Sequence, residues 1–242
     1  MSDGFGNRAS SGTWCRLAGG KVIRVVTPDT PGAIKVAKKN KDGSAQTDES
    51  GQPLYSYQLQ NDTVSGCIIK LSNKTQEFGG VEITNLIVTL KTNSGHMINV
   101  QMKQGDRYWM GFANTLSNID LTKEVSFEPY DYVARTDGKR KQGMGIKQGG
   151  EQVPWKFKKD SAGGPPQLQT VKAGNGKDLV MNGKIVYDWS PIIEFYCDII
   201  MQRNVELAAI VGVDLHDEEA QEHPVAGGIT DVEPDEDDEV PF

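Results

Sequence analysis

A basic segment of the sequence has the residue types needed to bind a polyanion. Residues 135–159 contain two acidic residues, Asp137 and Glu151, and eight basic ones, giving a local net charge of +6. The basic residues are Arg135, Lys139, Arg140, Lys141, Lys147, Lys156, Lys158 and Lys159. Because lysine and arginine displace the counterions condensed on a nucleic-acid backbone, this composition favours a phosphate-binding groove.

Aromatic side chains in and near this segment are suited to stacking on bases. Trp155 and Phe157 alternate with lysines, and stacking contributes about 1–3 kcal/mol per base whatever the base. The same alternation fits a second interpretation, in which both side chains share the face of Val153 and pack into a core. Four strand tyrosines are further stacking candidates, with a half-buried structural position as the alternative: Tyr55, Tyr57, Tyr130 and Tyr132.

Residues suited to catalysis or metal binding form no recognisable motif. The three histidines are His96, His216 and His223, and the three cysteines are far apart. There is no His-x-x-x-His, Gly-x-Ser-x-Gly or Cys-x-x-Cys pattern. We therefore expect no catalytic residues, no metal site and no cofactor. A nucleic-acid enzyme with a cryptic metal site is a third-ranked alternative, because the body of the chain lacks clustered carboxylates.

Short strands and two helices are predicted to position these residues. Apolar alternation and β-branched residues predict strands within residues 14–27, 54–60, 64–71, 81–90, 98–102, 124–134 and 153–157. A change of phase at Asn85 predicts a β-bulge. Asp106 is predicted to cap a first helix, and a second helix is predicted to begin at Ser190-Pro191 and to stop before Gly212.

The order of these elements predicts the fold class. Several strands, a helix and two more strands are the layout of an OB-fold, a five-stranded barrel with a helix between its third and fourth strands. We therefore predict a mostly β protein with two helices, in which residues 1–213 form an elaborated OB-fold barrel. An immunoglobulin-like sandwich is the main competitor, but the predicted helix around Trp109 fits it poorly.

The charge of the chain is unevenly distributed. Residues 214–242 hold 12 of the 33 acidic residues and no lysine or arginine, so residues 1–213 hold 21 acidic and 26 basic residues. This asymmetry predicts a basic body that binds nucleic acid and a disordered acidic tail that binds partners. A tail that only adds solubility is the plainer alternative.

The end of the acidic tail is the most specific motif of the sequence. Its last residues are Asp235, Glu236, Asp237, Asp238, Glu239, Val240, Pro241 and Phe242. We expect Phe242 to fill an apolar pocket of a partner while the carboxylates face a basic rim. This tail resembles that of bacterial single-stranded DNA-binding proteins, which ends in several Asp, an aliphatic residue, Pro and Phe. The size and layout of the body resemble the phage single-stranded DNA-binding proteins of the T7 type.

These resemblances imply a protein that coats single-stranded DNA without strong sequence preference during replication, recombination or repair. The implied partners are replication and recombination proteins that bind the tail. The sequence does not decide between a monomer and a homo-oligomer. The dispersed cysteines, the lack of a signal-peptide pattern and the lack of a membrane-spanning segment predict a cytoplasmic protein without membrane contact. The alternative function is a scaffold that binds proteins rather than DNA.

Overall fold

The computed structural model describes residues 12–40, 43–78, 80–158 and 163–212. These residues are mostly β structure with two helices, as the sequence predicts. The strands are β1 (Thr13–Ala18), β2 (Lys21–Val26), β3 (Ile34–Ala37), β4 (Tyr55–Asn61), β5 (Val64–Phe78), β6 (Val81–Lys91), β7 (Met97–Lys103), β8 (Val125–Val133), β9 (Arg140–Gln148), β10 (Glu151–Gln152), β11 (Gln169–Thr170), β12 (Val180–Met181), β13 (Lys184–Ile185) and β14 (Tyr187–Asp188). The helices are α1 (Arg107–Leu116), between β7 and β8, and α2 (Ser190–Val211), after β14.

Ten of the strands form one sheet, in the order β10-β9-β8-β5-β6-β7-β1-β2-β4-β3. Adjacent strands of this sheet run antiparallel, except for β1 and β7, which run parallel to each other. Two small ladders, β11 with β14 and β12 with β13, lie outside this sheet. None of the described helices is long and apolar enough to cross a membrane.

The described strands do not form the closed barrel that the sequence predicts. A ring built from β5 to β9 would close by pairing β7 with β9. In the structure β1 occupies the free edge of β7, where Cys15 lies opposite Val100, and β10 occupies the free edge of β9. Both edges that would meet are already hydrogen-bonded to other strands, so the sheet stays open.

The sheet nevertheless curls until the turn between β1 and β2 touches β8. Gly20 lies in this turn, and a Cβ atom there would be 2.7 Å from the backbone N of Asp131. The φ angle of Gly20 is +69°, a conformation that side chains other than glycine disfavour. Its N–H donates a hydrogen bond to the Tyr108 hydroxyl, at 2.9 Å. Packing against β8 and the hydrogen bond to Tyr108 therefore hold this turn in place. In a closed barrel, a ladder of backbone hydrogen bonds would join the two edges instead.

The hydrophobic core lies on one face of the sheet, against the two helices. Trp109 and Phe112 of α1 are 1% and 0% exposed. The Phe112 ring meets that of Phe127 on β8 edge-on at 5.7 Å, and Trp109 meets Tyr196 of α2 in the same way at 6.1 Å. The prediction that the apolar residues of the first helix belong to the core is confirmed. The opposite face of the sheet is called the outer face below.

The ends of both helices follow from local residues. The Asp106 carboxylate accepts a hydrogen bond from the Trp109 N–H at 2.6 Å, which confirms the predicted cap of α1. Helix α2 ends at Gly212, whose φ of +74° is left-handed, as predicted. The predicted Ser190 cap is wrong by one residue, because Trp189 occupies that position and makes no side-chain capping bond.

The bulge predicted at Asn85 is also misplaced. The register of β6 with β5 and β7 runs unbroken through Asn85, and the shift falls between Ile68 and Lys70 of β5. The change of apolar phase in β6 has another cause. Both of its faces are covered in the middle of the strand, so that Ile87 on the outer face is 7% exposed and Val88 on the core face is 0% exposed.

The strand predicted over residues 153–157 is wrong. The paired register with β9 ends at Gln152, followed by a last hydrogen bond from the Val153 N–H to the Ile146 carbonyl. Pro154 has no N–H with which to continue the ladder. The chain then binds helix α1 through the buried Asn114, whose amide donates to the Phe157 carbonyl at 3.1 Å and accepts from the Phe157 N–H at 2.8 Å.

Candidate nucleic-acid interface

The predicted basic segment is divided between the two ends of strand β9. Arg135 and Lys139 lie in the turn before the strand, whereas Lys156 and Lys158 follow β10. Lys141 and Lys147 are six residues apart on β9, which corresponds to about 20 Å along an extended strand. The structure therefore does not gather the predicted cations into one patch. Lys159 lies outside the described residues.

Acidic neighbours bind two of the cations at the start of β9. The Arg140 guanidinium holds the Asp131 carboxylate with two hydrogen bonds, of 2.8 and 2.9 Å. The Lys141 ammonium is 3.4 Å from the Asp137 carboxylate. A phosphate at either cation would have to compete with these carboxylates.

Two of the predicted tyrosines lie together on the outer face of β8. The rings of Tyr130 and Tyr132 have their centroids 5.9 Å apart. Tyr130 is paired with Gly143 of β9, and a Cβ atom at Gly143 would lie only 2.5 Å from the Tyr130 hydroxyl oxygen. The absence of a side chain at Gly143 therefore lets the tyrosine ring lie across the strand. Burial raises the pKa of Tyr130, which keeps its hydroxyl protonated.

A recess of about 640 Å³ adjoins Tyr130. Gly145 and Met144 of β9 line it together with Glu128, Gln152 and the partly exposed Trp155. The stacking and core interpretations of Trp155 and Phe157 therefore apply to different residues. Trp155 borders the recess, whereas Phe157 packs against the core with its ring 5.1 Å from that of Phe195.

The other two predicted tyrosines belong to a different surface. Tyr55 and Tyr57 lie on β4, which is separated from β8 by five strands of the sheet. Strand register places them on the opposite face from Tyr130. The Lys35 ammonium lies 3.8 Å from the centroid of the Tyr55 ring. These tyrosines and Tyr130 do not form one stacking surface.

Sequence reasoning missed a set of cations on the outer face of strands β5, β6, β7 and β1. Register places Lys74, Asn85 and Lys103 side by side on three adjacent strands, and Arg16 lies beside Gln101. We call this surface the cationic face. Its basic residues are Arg16, Lys70, Lys74, Lys91 and Lys103.

No aspartate or glutamate occupies the outer face of these four strands in the described part of the chain. The Trp14 side chain on the same face is 41% exposed and lies in register with Asn99. The cationic face therefore combines positive charge, amide groups and an aromatic ring.

The signal for this face is present in the sequence, but only as a pattern of alternation. Lys70, Ser72 and Lys74 occupy every second position of β5, and Asn99, Gln101 and Lys103 do so in β7. Each set looks like an ordinary solvated strand face when considered alone. Only the register of β5, β6, β7 and β1 brings the two sets and Arg16 together.

Other predicted features can be placed only in part. Among the described residues no three His, Cys, Asp or Glu side chains are grouped so that they could hold a metal ion. The residues predicted to bind partners, Asp235 to Phe242, lie outside the described residues. No protein-family model, no curated protein and no solved structure matches the chain.

Proposed function

We propose that this protein binds single-stranded DNA along the outer face of its sheet, as a coating protein in replication, recombination or repair. The observation that carries the proposal is the cationic face, where five basic residues and the exposed Trp14 share the outer face of four adjacent strands. Lysines there release counterions from phosphates, and the tryptophan offers a stacking surface to any base.

The helices favour a single strand over a duplex as the ligand. Both α1 and α2 pack against the core, and their buried residues belong to a single hydrophobic cluster. Neither helix is therefore available to enter a major groove from the outer face, which is how helical DNA-binding motifs read duplexes. A curled sheet with exposed aromatic rings suits unpaired bases instead.

The strand order supports the OB-fold part of the proposal. Strands β5, β6 and β7 form a meander, α1 follows, and β8 and β9 come next along the chain, with β8 paired back to β5. We therefore propose that these five strands correspond to an OB-fold ring that is opened between β7 and β9. OB-folds bind oligonucleotides on the face of their second and third strands, which correspond to β6 and β7 and carry part of the cationic face.

The acidic residues 214–242 complete the proposal as a segment that binds protein partners. Their 12 carboxylates attract basic surfaces, and Phe242 supplies an apolar anchor for a pocket. The three cysteines, Cys15, Cys67 and Cys197, are free thiols, which supports a reducing compartment such as the cytoplasm. The alternative function, a scaffold without DNA affinity, rests on the same acidic segment.

A titration of fluorescein-labelled oligo-dT with the full chain tests the proposal. We expect stoichiometric binding at about 50 mM NaCl that weakens strongly at about 200 mM, because ion release controls affinity. An unlabelled duplex of the same length should compete poorly. If no binding occurs at the lower salt concentration, the DNA-binding proposal is wrong and the scaffold alternative is favoured.

A further inference from the structure

The recess beside Tyr130 has a chemistry unlike that of the cationic face. Its polar side chains are Asp62, Thr63, Glu128 and Gln152, and its aromatic ones are Tyr130 and Trp155. Its volume of about 640 Å³ falls within the range of small-molecule sites, about 300–1,000 Å³. The recess can therefore hold a flat ring between aromatic groups, but it offers two carboxylates where a phosphate site would need cations.

Two hydrogen-bond acceptors of the recess lie on either side of Gly145. A Cβ atom at Gly145 would lie 3.3 Å from the Gln152 side-chain oxygen and 3.5 Å from its nitrogen, so the glycine leaves room for a ligand at this amide. The amide nitrogen donates to the Val153 carbonyl at 3.4 Å, which leaves the oxygen as the acceptor for a ligand. The Glu128 carboxylate accepts from the Lys147 ammonium at 2.9 Å. A carboxylate has about four lone-pair sites, so Glu128 can accept another hydrogen bond from a ligand.

Lys147 is a candidate contact for a DNA phosphate beside the recess. It lies next to Glu128 at the rim, with its side chain 39% exposed. A phosphate close to Lys147 would place the attached nucleotide near Gly145, which lines the recess together with Tyr130 and Trp155. The phosphate would stay outside the recess while the base entered it.

We infer that the recess binds one nucleobase of the bound strand and prefers a base with an exocyclic amino group, with Glu128 and Gln152 as acceptors. Such bases donate hydrogen bonds that carboxylate and amide oxygens accept, as in the pairing of Glu with the cytosine amino group. Thymine and uracil present a carbonyl oxygen at the corresponding position, which Glu128 repels. The inference rests on the proposed DNA binding and adds a preference for one base class to an otherwise sequence-independent interaction.

The test compares oligo-dC with oligo-dU of equal length, because these bases differ only in the group at C4, amino or carbonyl, and in the hydrogen on N3. Fluorescence anisotropy at pH 8 gives the affinity ratio for the natural chain, Glu128→Gln and the control Glu151→Gln. Glu151 is exposed on β10 next to Gln152 and does not line the recess. The ratio of the two affinities is insensitive to changes that affect both oligonucleotides equally. One such change is the loss of the ion pair between Lys147 and residue 128 in Glu128→Gln.

We expect the natural chain and Glu151→Gln to bind oligo-dC about fivefold more tightly than oligo-dU, as one such contact provides. The Glu128→Gln chain should have a ratio near one. Equal affinities in the natural chain, or a preference that survives Glu128→Gln, would overturn the inference while leaving DNA binding intact. Failure to bind either oligonucleotide would instead refute the proposed function, and the inference with it.

Discussion

Neutralising three lysines of the cationic face should remove a defined part of the salt dependence of DNA binding. The perturbation is Lys70→Gln, Lys74→Gln and Lys103→Gln in one chain. Lys74 and Lys103 are two strands apart, or about 10 Å, and Lys70 is four residues from Lys74, or about 13 Å. The three ammonium groups can therefore contact neighbouring phosphates of one strand.

The magnitude follows from the number of contacts. Each phosphate contact contributes about 0.7 to the slope of log K against log salt for a single strand. The triple variant should therefore lose about 2 from this slope. Between about 50 and about 200 mM NaCl, the affinity of the natural chain should fall about 16-fold more than that of the variant.

Anisotropy titrations with oligo-dT at several salt concentrations measure this slope. The matched control neutralises Lys172, Lys177 and Lys184, which lie within residues 172–184 and outside the large sheet. It makes the same change in net charge and should leave the slope nearly unchanged. Equal slopes for both triple variants would show that only total charge matters, and the assignment of the cationic face would be wrong.

A second triple variant separates the two candidate surfaces. Neutralising Lys139, Arg140 and Lys141 should reduce the slope by less than the value of about 2 that three phosphate contacts provide, because Asp131 and Asp137 already bind two of these side chains. A loss of about 2 or more would place the DNA path over the turn between β8 and β9.

Three further predictions concern stability and the acidic segment. Burial raises the pKa of Asp106 to about 6, so the native chain binds more protons than the unfolded chain between about pH 4 and 6, and stability falls as pH rises through this window. Asp106→Asn keeps a capping oxygen and removes the buried charge. It should raise the free energy of unfolding at pH 7 by up to about 3 kcal/mol and flatten its pH dependence, whereas a loss at pH 7 in urea titrations would contradict this account of the cap. Deleting residues 231–242 should leave the melting temperature nearly unchanged and raise DNA affinity at low salt, because the segment competes as a polyanion. Phe242→Ala should weaken binding of a partner that recognises the tail without changing DNA affinity, and unaltered partner binding would count against the anchor.

Local structure was largely predictable from the sequence because its causes are local. The Asp106 cap lies three residues from the N–H that it binds, and the apolar spacing from Trp109 to Leu116 is contained in one helix. Gly212 ends α2 through its own left-handed conformation. The strand over residues 98–102 follows from simple alternation.

The predictions of the closed barrel and of the basic patch failed because they depend on contacts between distant parts of the chain. The parallel pairing of Thr13 with Ile98 joins residues that are 85 positions apart, and no local pattern indicates it. That pairing decides both that the ring stays open and that Arg16 lies beside β7. The basic run at residues 139–141 was conspicuous in the sequence, but its carboxylate partners become visible only once β8 and β9 are paired.

The strand that prevents ring closure also enlarges the proposed binding surface. In a closed ring β9 would take the place that β1 has beside β7, and Lys141 and Lys147 with their acidic neighbours would approach Lys103. With β1 in that place, β7 is instead extended by Trp14 and Arg16 on its outer face. The open sheet thus keeps the paired lysines of β9 apart from the cationic face. On this view the departure from a closed barrel is a condition for the proposed DNA path, because it separates a surface suited to phosphates from a recess suited to a base.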